Sequence, residues 1–145
     1  MKKLHFPLAV LALGLVLSAN TCSDKKSAKD GAAIGSAQGK WVLLSLDGAE
    51  VNMPEGVETP YISIDSTGEN LVGFGGCNRM FGTVKIWGDS ISFPGLASTR
   101  MYCVETQQVE NSFLEALNTA HTYALKGDQL VLSGDRERAV LRREK

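Results

Sequence analysis

The decade Gly73-Phe74-Gly75-Gly76-Cys77-Asn78-Arg79-Met80-Phe81-Gly82 limits the fold of this chain more than any other stretch. It holds four glycines, a cysteine, an asparagine and two phenylalanines. The apolar pair Leu71-Val72 runs into it, and the alternating run Phe81-Gly82-Thr83-Val84-Lys85-Ile86 leaves it. Glycine at this density lets backbone take positive φ or pass close to another segment, where a Cβ would intrude. The decade therefore predicts a tight, bulged connection between two strands, with Cys77 at its apex.

The rest of the chain extends that pattern. Gly39 to Leu46 is β-rich and stops at the turn signal Asp47-Gly48, with Trp41 as the expected core anchor. Pro60 to Asp65 alternates, with Ile62 and Ile64 on one face, and Ser66-Thr67-Gly68 turns it into Asn70–Phe74. Thr83 to Trp87 meets Ser90 to Phe93 across Gly88-Asp89. From Gln107 to Ala120 the period becomes helical: Val109, Phe113, Ala116, Leu117 and Ala120 share a face, and Glu110 and Glu115 are expected on the solvent side. Thr106 is the expected cap. Thr122–Leu125 then faces Gln129–Leu132 across Lys126-Gly127-Asp128, and the last strand is Arg138–Arg142. About eight short hairpin-linked strands with one amphipathic helix predict an α+β class: mainly antiparallel, an incomplete (cracked) barrel or curled sheet with the helix over its open side.

Ahead of this domain the sequence reads as a leader. Met1-Lys2-Lys3 precedes an apolar run from Leu8 to Leu17. Ten residues rise only about 15 Å as helix, half of the ~30 Å needed to span a bilayer. Residues 1–21 are therefore read as an export signal peptide. Cys22 follows, where bacterial lipoproteins carry their acylated cysteine, although Ala19 and Thr21 stand where such boxes usually hold Leu and Gly or Ala. The alternative is ordinary cleavage near Ala19. Residues 22–38 are small, polar and charged, a disordered tether, and residues 39–145 are the domain. Three cysteines in an exported chain leave an odd one. With lipid on Cys22, Cys77 and Cys103 remain to pair in an oxidising compartment, worth roughly 3.5 kcal/mol in the chain-entropy model. Two buried free thiols are the other reading. The expected location is the cell envelope, lipid-anchored to a membrane.

Little in the residue inventory supports turnover chemistry. Net charge is −1, and it becomes −3 once Lys2 and Lys3 leave with the leader, so no nucleic-acid partner is expected. Arg136, Arg138, Arg142 and Arg143 alternate with acids and read as a solvated strand and tail. His121, the only histidine beyond the leader, follows the helix and reads as a surface residue or a partner for the helix C-terminus. A closed zinc site wants four Cys or His ligands, more than the domain supplies, and no cofactor is expected. Gly73-Phe74-Gly75-Gly76 lacks the Lys-Ser/Thr of a phosphate loop. Asp47, Asp65, Asp89, Asp128 and Asp135 adjoin turn residues, where Asx-turn bonding accounts for them. Asn78 is expected to bond nearby backbone at the apex, and Arg79 to lie exposed beside a strand.

With these residues in view, the chain resembles the META/HslJ family of small bacterial envelope proteins over roughly residues 39–143. The resemblance rests on Trp41-Val42-Leu43, Gly48, Gly73-Phe74-Gly75-Gly76-Cys77-Asn78, Phe81-Gly82, Ile91-Ser92-Phe93, Ser98-Thr99-Arg100-Met101-Tyr102-Cys103, Glu110, Phe113-Leu114, Leu117 and Leu130-Val131-Leu132. Tyr102 stands where the family usually has Ala. The resemblance implies a cracked β-barrel with one helix, often lipid-anchored or secreted, and links to heat shock and novobiocin resistance. It supplies no catalytic residues. Two functions are expected from different classes: a non-enzymatic envelope module that binds a protein partner, or a carrier holding an apolar acyl chain in the barrel. Large side chains (Trp41, Phe74, Phe93, Phe113) filling the interior would favour the first, and a groove of at least ~300 Å³ between helix and sheet the second.

Overall fold

The computed structural model describes residues 37–145, so the leader and Cys22 lie outside the described residues. Eleven strands and one helix follow in order: β1 (Gly39–Leu46), β2 (Ala49–Glu50), β3 (Tyr61–Ile64), β4 (Asn70–Phe74), β5 (Arg79–Thr83), β6 (Lys85–Trp87), β7 (Ser90–Ser92), β8 (Ala97–Ser98), α1 (Gln107–Thr119), β9 (Thr122–Lys126), β10 (Gln129–Ser133) and β11 (Glu137–Arg143). The sheet runs β6-β7-β9-β10-β11-β1-β3-β4-β5-β8, antiparallel at each step, and β2 pairs with β1 off this path.

Chain continuity shows why the sheet curls. Only Val84 separates β5 from β6, although the two strands stand near opposite ends of the path. The sheet must bend back until its ends meet through one residue, and the result is the cracked barrel. Val84 itself is buried, and its amide donates to the Glu69 carbonyl at 2.7 Å, which fixes the bend. Register shifts that leave Leu44 of β1 and Arg138 of β11 unpaired bend those two strands further. The count of about eight strands becomes eleven because that bend splits one run into β5 and β6, and because two-residue β2 and β8 have no periodicity to read.

Alternation decides what faces inward. Trp41 and Leu43 from β1, Ile62 and Ile64 from β3, Leu71 from β4, Met80 from β5, and Leu130, Leu132 and Leu141 from β10 and β11 are buried together. Helix α1 adds Phe113, Ala116 and Leu117 and packs chiefly against β11, β10 and β1. Ala37 and Gln38, at the end of the expected tether, are held by the barrel: Trp41 Nε1 donates to the Ala37 carbonyl at 2.8 Å, and an Arg143 guanidinium nitrogen to the Gln38 carbonyl at 2.7 Å.

Three expectations change. Glu110 is buried on the helix's inner face, 2% exposed, rather than on the solvent side. Its spacing already said so, since Glu110, Phe113 and Leu117 lie three and four residues apart along one stripe. Arg138 is buried too, because it bridges Asp47 (2.9 Å) and Glu115 (2.8 Å) instead of extending into solvent. Arg143 lies 4.2 Å over the Trp41 ring. Phe74 is the third: Trp41, Phe93 and Phe113 fill the interior, but Phe74 lies half-buried, paired in register with Tyr61 and Arg79.

Candidate functional site: the corner joining apex, loop and helix

The glycine-rich decade forms the connection between β4 and β5, residues 75–78, closed by the Gly75 amide bonding the Asn78 carbonyl at 2.9 Å. Gly76 takes φ +114°, a value that disfavours any side chain there. Gly75 is required for a different reason. A Cβ on it would stand 2.7 Å from Cγ and Oε2 of Glu110, so this backbone approaches the helix as closely as it does only without one.

That closeness lets one carboxylate serve the apex. Glu110 Oε2 accepts the backbone amides of Cys77 (3.1 Å) and Asn78 (2.5 Å), and Oε1 accepts Asn78 Nδ2 at 2.6 Å. Asn78 carries the network onward. Its Nδ2 also donates to the Met101 carbonyl at 2.9 Å, while its Oδ1 accepts the Met101 amide (2.7 Å) and the Thr99 hydroxyl (2.8 Å). An amide side chain has two donors and two acceptor lone pairs, so Asn78 is fully used. Thr99 pairs with Arg79 as well: its amide donates to the Arg79 carbonyl at 3.0 Å, and its hydroxyl accepts the Arg79 amide at 3.2 Å. Cys77 and Cys103 are joined by a disulfide spanning 26 residues of sequence.

The corner thus gathers the expected motif residues Gly75, Gly76, Cys77, Asn78, Thr99, Met101 and Cys103 around a buried Glu110. Asn78 bonds backbone as expected, but the backbone is that of loop 99–101 rather than its own apex. The helix starts where expected, yet Thr106 makes no side-chain cap bond, and its buried hydroxyl finds no partner. Asp65 behaves as an Asx turn, accepting the amides of Gly68, Glu69 and Asn70 on Oδ1. Its carboxyl is held well below the usual range by the Asn70 side chain first and the Thr67 hydroxyl second. His121 is exposed beside the Arg138 ion pairs.

Chemically, the corner is spent on itself. The Asn78 amide and both Glu110 oxygens are bonded internally, and the two thiols are oxidised together. What it presents outward is apolar. Met101, Tyr102 and Val104 are 61, 76 and 80% exposed, on a loop whose backbone the corner holds. Below them a surface groove of about 470 Å³ is lined by Val57, Phe74, Gly76, the disulfide, Val104, Glu105 and Thr106. Among the described residues, no three or more His, Cys, Asp or Glu side chains cluster to hold a metal. Nor is any described helix long and apolar enough to cross a membrane. The exposed loop residues left no sequence signal: a one-residue change of direction decides whether Tyr102 faces in or out, and an irregular loop has no period.

A META domain model matches residues 35–145. A protein from Burkholderia xenovorans, with an NMR structure, is 27% identical, with 74% of this chain and 83% of that one aligned and a TM-score of 0.61. A second NMR structure is 26% identical over 72% of this chain and 88% of the other, with a TM-score of 0.59. A DUF4847 family protein from Bacteroides vulgatus is 17% identical over 75% and 94% of the two chains, TM-score 0.53, and shares the fold. No curated protein matches this chain.

Proposed function

The chain belongs to the META-domain family, and on that premise we propose that it is a non-enzymatic binding module of the bacterial cell envelope. Lipid on Cys22 anchors it to a membrane, and the loop from Met101 to Val104 engages a protein partner. Its service is the stress tolerance or antibiotic resistance expected of a META/HslJ protein. One observation carries the reading: three large apolar side chains stand exposed on a loop whose backbone is tied down by Asn78 and by the disulfide. Displaying such groups to water gains nothing by itself, and preorganised aromatic and apolar anchors are what a protein interface uses. The edge strand β8 enters this loop directly and offers a short unpaired rim beside it.

A carrier of an acyl chain is the second reading, and the surface groove of about 470 Å³ between Phe74 and Val104 is its candidate seat, although the apex and loop line it rather than the helix and sheet. Against it, the barrel interior is packed with Trp41, Phe113 and the strand leucines, and Glu105 stands at the groove. A photo-crosslinking residue in place of Tyr102, in the full chain in its native envelope, separates the two. The binding module predicts a discrete protein adduct that Met101→Ser with Val104→Ser removes. Saturable binding of an apolar probe with no protein adduct would overturn it and promote the carrier. Cys22→Ser tests the anchor separately: the folded chain should move to the soluble fraction, and retention after a carbonate wash would contradict lipidation.

A further inference from the structure

The outer surface of β1, β3, β4 and β5 sets exposed apolar side chains among cations. Two register rows cross it. One runs Arg142–Val42–Tyr61–Phe74–Arg79 and the other Lys40–Ser63–Val72–Phe81. The inward partners of these residues (Trp41, Leu43, Ile62, Leu71, Met80) are buried, so both rows point away from the core. Val72 and Phe81 form a cross-strand pair, 58 and 53% exposed. Tyr61 and Phe74 lie side by side with ring centroids 6.4 Å apart.

Charge on this face is one-sided. None of the four strands contains an aspartate or glutamate. Lys40 lies 4.2 Å over the Tyr61 ring, and Arg79 lies 5.5 Å over Phe74 while donating to the Tyr61 hydroxyl at 2.7 Å. Both cations are thereby laid onto the aromatic surface instead of waving above it. At the β11 border, Arg142, Arg143 and Lys145 share a hollow with Asp128 and Glu144, and Glu144 pairs with Lys40 at 3.1 Å. Cations outnumber carboxylates here, although residues 37–145 as a whole hold ten Lys and Arg against fourteen Asp and Glu.

Covered ring faces are poor stacking platforms for a sugar or a base. Apolar tips set among cations instead suit a surface with phosphate groups outside and hydrocarbon just beneath. The described chain begins three residues before Lys40. Residue 37 leads through Gln38 and Gly39 to Lys40 on this face. Residue 37 lies fifteen positions after Cys22, at most about 50 Å of extended chain. A lipid on Cys22 therefore keeps this face within reach of the bilayer that holds the lipid.

We propose that the β1-β3-β4-β5 face docks on an anionic phospholipid surface, with Lys40, Arg79 and Arg142 toward the phosphates and Val72 and Phe81 at the acyl boundary. This rests on the envelope reading above, but its test does not use the anchor. The full exported chain carrying Cys22→Ser is mixed with phosphatidylglycerol or phosphatidylcholine vesicles and sedimented at low and moderate salt. Expected is at least about tenfold preference for phosphatidylglycerol, falling as salt rises. Arg79→Gln should weaken it about fivefold, whereas Arg136→Gln, the same charge change on the distant β10–β11 turn, should leave it within twofold. Phe81→Ser should lower binding with the charge intact, and unchanged unfolding midpoints show that each variant is folded. Equal binding to both lipids, no binding, or equal effects of Arg79→Gln and Arg136→Gln would overturn the proposal. So would a protein adduct from a crosslinker at position 81 without vesicle binding, which would make the face a protein interface. If Cys22→Ser stays in the membrane fraction of cells, the anchor reading fails, and the vesicle preference still reports on the face alone.

Discussion

Glu110 carries two jobs that a neutral isostere cannot share. Both of its oxygens accept, one from two backbone amides and one from Asn78 Nδ2. In Glu110→Gln one of those acceptors becomes an NH₂ donor facing another donor. Flipping Asn78 to relieve the conflict would set its NH₂ against the Met101 amide. The substitution keeps the shape yet should cost about 1–3 kcal/mol, the range for an orphaned buried polar group. Urea unfolding measures it, and a cost below about 0.5 kcal/mol would show that the network does not hold the corner. Asp65 gives a pH prediction of known sign. Its folded-state pKa is depressed by Asn70 and Thr67. Its contribution is therefore full above the ordinary carboxylate value of about 3.9 and declines as pH falls below it. Asp65→Asn should lower the urea midpoint at pH 6 and converge toward the parent protein near pH 3; a constant gap across that range contradicts the assignment.

Among the elements, the connection between β4 and β5 makes the sharpest demand on sequence. Gly75 and Gly88 test two different reasons for glycine. Gly88 sits at φ +61° in the β6–β7 turn with open space where a Cβ would go, so Gly88→Ala should cost only the left-handed penalty of about 1 kcal/mol. Gly75→Ala drives a methyl into a carboxylate pinned by three hydrogen bonds, and overpacking of that kind costs about 1–3 kcal/mol before any bond is lost. Thermal unfolding of the two variants should rank Gly75→Ala well below Gly88→Ala, and the reverse order would remove the close approach from the account. The same elements show what was legible in the sequence. The strands around Ile62, Ile64, Leu130 and Leu132, the hairpin turns at Gly88-Asp89 and Gly127-Asp128, and the helix all have local signals of period or turn chemistry. The Cys77–Cys103 bridge followed from cysteine parity. The burial of Glu110 and Arg138 has no such plain local signal, because charge suggests solvent while their partners lie 32 and more than 20 residues away in sequence. Helical spacing contained the Glu110 answer, but nothing local announces that an acid will find amides to accept.

At the scale of the molecule, one core links these parts. The single residue Val84 closes the barrel, α1 fills it, and the corner ties the start of that helix to the sheet. Asn78 and Cys77 face inward to Glu110 while the loop they hold faces water, so the motif fixes the backbone of a surface loop. This claim has a direct measurement in native-state hydrogen exchange of the folded domain. The Met101 side chain is 61% exposed, yet its amide donates to Asn78 Oδ1 at 2.7 Å inside the network. The Met101 amide should exchange only through the large openings that expose core strand amides such as Leu130, and Asn78→Ala should release it while the strands stay protected. Exchange of the Met101 amide at the rate of a free loop, in the unaltered protein, would contradict the account.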